Sequence, residues 1–473
     1  MNIADALKNA STTPYWLDTP NRPEPQPALR GRVTADLVIV GGGFTGLWTA
    51  LQAVEDAPAR RIVLLEGTEI GWAASGRNGG FCSASLTHGY DNGAHHLPGE
   101  NDRLAELGLR NLDEIQETVE RLGLDCDFER TGELSIAFEP WQARDLESEH
   151  DPDNGYRWLD AKELRDHIRP VGALGGLLDE RNNAMINPAK LCWALRRVLL
   201  ERGVQIYEHS LVKDLRQDTD QSRGDMIADT DQGSVTAPRV ALATNVFPTL
   251  LKKTTLHTVP VYDYALMTEP LTDAQMDAIG WHHREGLDDV TNRFHYFRLT
   301  VDNRILWGGW DAVYHFGKRV LPKYDQRPET FETLARQFYE MFPQLDGESP
   351  DGVDGGVVFT HKWGGAIDTC SRFFPFFTTG YGGRVAYTAG FTGLGVGASR
   401  FAGRVMLDLL GEQETELTRL DMVRRMPKPF PPEPAAWLGV QMMTKALIRA
   451  DENEGKRGPF LRVMDALKMG FDS

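Results

Sequence analysis

Residues 34 to 66 constrain this chain more than any other stretch, running from Thr-Ala-Asp-Leu-Val-Ile-Val-Gly-Gly-Gly-Phe-Thr-Gly to Val-Leu-Leu-Glu. A short apolar strand (Asp36 to Val40), a glycine turn, a helix opening near Gly46 and a second strand (Arg61 to Leu65) ending in an acid read as a dinucleotide-binding βαβ unit. Gly41, Gly43 and Gly46 fill the pattern G-x-G-x-x-G. The first allows the tight turn, the second lets backbone approach a pyrophosphate, and the third lets helix and strand pack closely. The helix N-terminus offers unpaired N–H groups to phosphate. Glu66 stands twenty residues past Gly46, where an acid can accept hydrogen bonds from an adenosine ribose. Alone, the glycine pattern is often only a turn; with both strands, the helix and the acid it reads as a nucleotide site.

The length of 473 residues suits two or three structural units, and a net charge of −17 argues against nucleic-acid or anionic-membrane binding. No segment approaches the roughly 20 apolar residues of a membrane span, and Met1 to Thr34 lacks a signal-peptide core, so a cytoplasmic location is expected. Cys82, Cys126, Cys192 and Cys370 are scattered, and His95-His96 and His282-His283 read as exposed loop pairs. Neither disulfides nor a metal site is expected.

Five prolines between Pro14 and Pro27 mark residues 1–34 as an extended arm. Leu112, Ile115, Val119 and Leu122 form one face of a helix ending before Gly123. Helix and strand alternate again over Ala189 to Arg202 and Gly203 to Tyr207, with a buried strand at Val240 to Ala243. Alternating residues in Arg293 to Arg298 and Asn303 to Gly309 predict antiparallel strands. Arg384 to Thr388, the turn Gly390 to Gly395 and a helix from Val396 to Leu410 repeat the grammar of the opening. The expected fold is α/β: a discontinuous Rossmann-type FAD-binding domain (35–95, 185–250, 355–425), an inserted α+β substrate domain on an antiparallel sheet (96–184, 251–354), and a helical tail (426–473).

With these pieces in place, the chain from about Asp36 to Leu410 resembles the FAD-dependent amine and amino-acid oxidoreductases of the D-amino-acid oxidase, glycine oxidase and sarcosine oxidase superfamily. Ala74-Ser75-Gly76-Arg77-Asn78-Gly79-Gly80, Tyr296 to Thr300, Asp302-Asn303-Arg304 and Gly308-Gly309 resemble its gamma-glutamylputrescine oxidoreductase branch most. The resemblance implies FAD as cofactor. It places Gly41, Gly43, Phe44, Thr45 and Gly46 at the pyrophosphate, Glu66 at the ribose and backbone of Val212 at adenine. The loop of Ala74, Ser75, Arg77, Asn78, Gly79, Gly80 and Phe81 would run beside the flavin. Gly390, Phe391, Thr392, Gly393, Leu394, Gly395 and Val396 would bring a helix N-terminus to its pyrimidine edge, where a positive dipole stabilises an anionic reduced ring. Arg77 could equally pair with an acid, and Ser75 could only cap a helix.

Departures from relatives narrow the chemistry. Ile367 stands where glycine-oxidase relatives place a carboxylate-binding arginine. The following Asp368 is either a wall carboxylate that favours a cationic amine or a turn residue. Gly365 replaces a tethering cysteine and Trp72 to Phe81 has no histidine, so noncovalent FAD is expected; Cys82 and Cys370 are read as buried thiols. Candidate substrate contacts are Tyr262, Tyr264, His295, Tyr296, Arg298, Trp307 and Trp363, with cation–π contact available from the rings, although such residues are also common in packed sheets. His295 is either an assistant to deprotonation or a packed histidine, and His88 is a weaker candidate. Leu306 occupies the slot of an oxygen-activating lysine, which leans toward slow oxygen use and hence a dehydrogenase, with the acceptor, oxygen or another, left open. The leading expectation is oxidation of the C–N bond of a small amine, polyamine-like or N-methylated. The alternatives are an amino-acid or aminophosphonate oxidase using Arg298 or Arg304, and a flavin-binding partner subunit without catalysis.

Overall fold

The computed structural model describes residues 1–218, 224–350, 352–353 and 356–469. A six-stranded sheet runs in the order Phe376–Gly380, Val385–Ala389, Val240–Leu242, Leu37–Val40, Ile62–Leu65, Gln205–Tyr207. All neighbours are parallel except the edge strand Phe376–Gly380. Leu37–Val40 and Ile62–Leu65 are buried at every position, as a parallel sheet covered on both faces requires of its sequence. Helices Phe44–Asp56, Pro188–Glu201 and Gly395–Leu410 share one core through Leu47, Leu51, Leu195, Val198 and Met406.

A nine-stranded sheet stands beside it. Phe359–Thr369 pairs with Val259–Thr268, and the order continues through Ile305–Gly309, His295–Leu299, Gly286–Asp289, Glu133–Ala137, Gly175–Asp179 and Tyr156–Asp160, with Val313–Tyr314 also on Val259–Thr268. The sheet is antiparallel except where Gly286–Asp289 meets Glu133–Ala137, the junction of two separate chain segments. Side chains alternate between its faces. One face joins Leu134, Phe297 and Trp307 to Phe331, Phe338 and Phe342 on and beside helix Pro328–Met341. The other carries Glu133, Ser135, Asp263 and Tyr296 and forms the wall of a large cavity.

Three local expectations are corrected. The first helix begins at Phe44, two residues before Gly46, because Ser75 Oγ accepts the Phe44 N–H at 2.9 Å and satisfies an otherwise orphaned donor. The N-terminal arm is not simply extended: Asn2 Oδ1 caps a helix at Ile3–Leu7, Ser11 bridges to His361, and Gly31–Thr34 pairs with Gly233–Ala237. That last pairing belongs to a four-stranded sheet of Gly31–Thr34, Gly233–Ala237, Met226–Asp229 and Asp214–Gln217, which the sequence does not announce. The long helix Asn101–Leu122 does stop at Gly123, whose φ of +56° forms a left-handed cap.

A Cβ on Gly46 would lie 1.9 Å from the Gly41 carbonyl oxygen, inside backbone that cannot yield, whereas a Cβ on Gly123 would meet nothing within 4 Å. Gly46→Ala should therefore cost about 3 kcal/mol in a urea melt, and Gly123→Ala only about 1 kcal/mol, from the positive φ alone. Equal midpoints for the two variants would contradict this packing.

Candidate active site

The two glycine turns, the 74–81 loop and the nine-stranded sheet enclose a cavity of about 2330 Å³, larger than the roughly 300–1,000 Å³ of an ordinary small-molecule pocket. Phe44, Thr45, Ser75, Asn78, Thr392 and Gly395 are in its wall, so the N-termini of helices Phe44–Asp56 and Gly395–Leu410 open on it from two sides. Gly41, Gly43, Gly46, Glu66 and Val212 lie outside it, at the ends of the parallel strands. There Glu66 accepts the Gly42 N–H at 2.6 Å and the Thr68 N–H at 2.8 Å, and burial raises its carboxyl above the usual range. Val212 is packed beside Val63 and Leu65.

Cβ atoms could not be accommodated at the first turn. One on Gly41 would lie 2.3 Å from the Ala243 carbonyl and one on Gly43 2.8 Å from Ser75 Oγ. This side-chain-free cradle, an acid at the second strand end and an open helix N-terminus fit FAD.

The 74–81 loop is held from many directions. Trp16 Nε1 donates to the Asn78 carbonyl and Trp363 Nε1 to the Arg77 carbonyl, both at 2.9 Å. Asn78 Oδ1 accepts the Gly80 N–H at 2.8 Å. Arg77 pairs with Asp325 at 2.5 Å and lies 4.9 Å over the Trp72 ring, so it takes the acid-pairing alternative. At the second turn, Asp368 Oδ2 accepts the Gly390 N–H, its carbonyl accepts the Thr392 N–H at 3.1 Å, and burial pushes its carboxyl up to about 7. Asp368 thus organises the turn. Phe391 and Val396 bury their side chains. His88 lies in the wall close to Gly393, and burial lowers its imidazole to about 4, so it is neutral near pH 7.

Three of the expected substrate contacts are corrected: Trp307 is fully buried in the core on the opposite sheet face, and neither it, His295 nor Arg298 lines the cavity. His295 points to the opposite sheet face, stacked at 4.5 Å on Trp307 and 5.2 Å on Trp310, with Nδ1 2.7 Å from Asp289 Oδ2 and Nε2 3.0 Å from Gln337 Oε1. Arg298 is buried and donates to the Ile186 carbonyl at 2.6 Å and the Gly80 carbonyl at 3.4 Å; it braces the loop and is absent from the cavity wall. Tyr262 and Tyr264 are among the lining residues, but their rings are buried in the core of the other sheet face and their hydroxyls reach Leu321 and Tyr324. Arg304 is engaged by Asp302 and the Thr268 carbonyl. Leu306 is buried with Trp16 and Trp363, and both Cys82 and Cys370 are fully buried. His283 stacks on His167, whose Nδ1 is 2.5 Å from Glu285 Oε1; this cluster, unforeseen in the sequence, does not line the cavity.

Tyr296 and Trp363 remain in the wall, and beside Tyr296 stands a residue that sequence reasoning missed. Tyr296 OH donates to Asp263 Oδ2 at 2.6 Å, and its ring lies across Gly308, where a Cβ would be 2.5 Å from Cζ. Burial pushes the Asp263 carboxyl up to about 6 and raises the Tyr296 phenol well above its usual value. Asp263 forms no ion pair among the described residues. Its signal was an acid between two tyrosines in an otherwise apolar strand, Val-Tyr-Asp-Tyr-Ala. The tail, also unplaced from sequence, covers the mouth: Pro431, Val440, Met443 and Phe460 line it, and Asp451 accepts the Asn292 N–H at 2.9 Å.

Fold and site together define a dinucleotide-dependent oxidoreductase. Residues 36–409 match the family described as FAD dependent oxidoreductase, and the chain belongs to that family. It is 30% identical over 441 residues to the gamma-glutamylputrescine oxidoreductase of Escherichia coli K12, covering 89% of this chain and 93% of that protein. A probable oxidoreductase, OrdL, of Haemophilus influenzae is 28% identical, covering 85% and 88%. Among solved structures, glycine oxidase of Geobacillus kaustophilus superposes with a TM-score of 0.67 at 19% identity, over 83% of this chain and all of that one. Among the described residues no helix is long and apolar enough to cross a membrane.

Because the folded state raises Asp263 from 3.8 to about 6, it favours the protonated form, and the stability this contributes is complete below the unfolded pKa and lost as pH rises through about 6. Asp263→Asn should therefore melt higher than the parent well above pH 6, with the difference vanishing in acid. A stability difference independent of pH would contradict the buried, unpaired carboxylate.

Proposed function

We propose that this protein oxidises the C–N bond of a primary or secondary amine, polyamine-like or N-methylated, with noncovalently held FAD. The observation that carries the reading is Asp263, a carboxylate without an ion-pair partner among the described residues, in a cavity wall where Ile367 leaves no guanidinium for an α-carboxylate. A cationic amine supplies the missing counter-charge of Asp263. The similarity to a gamma-glutamylputrescine oxidoreductase supports an amine as substrate.

Bound FAD supplies the two-electron acceptor for hydride removal from the carbon next to nitrogen. The chain's own residues position the substrate. Ionised Asp263 attracts the ammonium and accepts its proton, leaving the neutral amine whose nitrogen lone pair assists loss of the hydride. Tyr296 holds the carboxylate in place through its hydroxyl and offers a ring face to the substrate carbons. The substrate loses two electrons and two protons in becoming an imine, and water then splits the imine into a carbonyl compound and an amine. The tail helices at the mouth limit access of bulk water. At Gly365 a Cβ would come no nearer than 3.7 Å to Arg77, and no thiol stands there to form a tether.

Without oxygen, diamines and N-methylamines should bleach the flavin of the purified holoenzyme, while glycine and other small amino acids should bleach it at least about a hundredfold more slowly, the scale of a buried charge left unpaired. FAD should be released by acid precipitation. Faster bleaching by amino acids than by any amine would contradict the reading.

A further inference from the structure

Away from the cavity, two imidazoles and a buried carboxyl group converge on one point. His167 stands in the connection between strands Tyr156–Asp160 and Gly175–Asp179, while His283 and Glu285 lead into strand Gly286–Asp289. One donor atom from each of the three, a ring nitrogen from either histidine and a carboxylate oxygen, lies within 4.8 Å of the others. His167 Nδ1 is 2.5 Å from Glu285 Oε1, and the His283 ring stacks on the His167 ring at 4.5 Å between centroids.

The carboxyl group is short of partners. Glu285 is 3% exposed, and its Oε2 has no hydrogen-bond partner. That oxygen belongs to the same group whose Oε1 meets His167, so the deficit is at the cluster itself. Among the described residues neither lysine nor arginine pairs with Glu285. Arg284, its neighbour in the chain, is engaged by Glu129 at 3.1 Å and by the Thr300 carbonyl at 2.9 Å. A buried carboxylate held by a single hydrogen bond is costly, and a cation beside it removes that cost.

The donor set says which cation. Two imidazole nitrogens and one carboxylate oxygen suit Zn²⁺ and its borderline neighbours better than Mg²⁺ or Ca²⁺, which prefer oxygen alone. Tetrahedral bonds of about 2.0–2.2 Å would draw the donors to roughly 3.3 Å apart. His283 is exposed, so its ring can turn to close the remaining distance, and an ion can enter from solvent beside it. The metal would replace the hydrogen between His167 Nδ1 and Glu285 Oε1, the ring keeping its proton on Nε2.

We infer that His167, His283 and Glu285 form a surface zinc site with water in the fourth position. The inference uses no part of the amine-oxidising reading. The cluster does not line the cavity, so the ion is a clasp and not a catalyst. It ties the 161–174 connection to the start of strand Gly286–Asp289, whose Asp288, three residues and about 10 Å further along, is in the cavity wall.

Holoenzyme stripped with EDTA and dialysed against zinc chloride, its metal then counted by mass spectrometry, tests the site. The parent should retain a single zinc per chain, and its melting temperature should rise with the logarithm of free zinc. His283→Ala and Glu285→Gln should each weaken zinc at least about a hundredfold, the upper end of what losing even an outer partner costs. Because His283 is exposed, His283→Ala should melt like the parent once both are zinc-free, which keeps the comparison valid if the buried Glu285 variant folds poorly. His282→Ala removes the adjacent imidazole outside the cluster and should leave zinc bound. X-ray absorption at the zinc edge should show nitrogen and oxygen neighbours at about 2.0–2.2 Å. No zinc on the parent, an affinity unaltered by His283→Ala, an equal loss in His282→Ala, or sulfur around the metal would overturn the site.

Discussion

The loop from Ala74 to Phe81 is held at once by helix Phe44–Asp56, the N-terminal arm and the nine-stranded sheet, and the shape of the cavity depends on that grip. Ser75 receives the first amide of the nucleotide-binding helix, two indoles from separate parts of the chain donate to consecutive carbonyls, and Arg298 donates to Gly80 and Ile186. Each donor is buried or half-buried, so losing one leaves a desolvated carbonyl without a partner, at about 1–3 kcal/mol. Trp16 gives the N-terminal arm a role: it docks against the nine-stranded sheet and fixes the loop from outside.

Much of the nucleotide end was legible in the sequence because its physics is local. Glycines at fixed spacing, an apolar strand before them and an acid after the next strand are all within 33 residues, and the structure assembles them as read. The sheet wall was less legible. Aromatic alternation in Arg293 to Arg298 revealed strands without saying which face meets the cavity, and His295 went to the core face while Tyr296 went to the wall. Asp263, Asp288, Glu133 and Asp179 come from four strands spread over more than 150 residues, and only inter-strand register brings them onto one face. For Asp368 the sequence left two roles open, and the residue both bonds the Gly390 N–H of the turn and lines the cavity.

The balance of charge around the cavity follows from burial. Three arginines near it are engaged in structure, Arg77 with Asp325, Arg298 with backbone carbonyls and Arg304 with Asp302, while Arg293 stacks over Trp310 in the wall. Asp263 and Asp288 in the wall form no ion pair among the described residues, and burial raises both carboxyls. The tail adds closure, since its helices pack over the mouth and touch both the 292 loop and, through Lys428, the 371 turn.

We propose that an amine gives up the hydrogen on the carbon next to its nitrogen inside this cavity, with Asp263 holding the nitrogen. Single-turnover reduction of the holoenzyme without oxygen, comparing a diamine with its counterpart deuterated at both carbons beside nitrogen, tests it most directly. Deuteration should slow flavin bleaching several-fold, and Asp263→Asn should slow both isotopologues while the isotope effect persists. Bleaching at the same rate with either diamine, or unaltered by the Asp263 substitution, would contradict it.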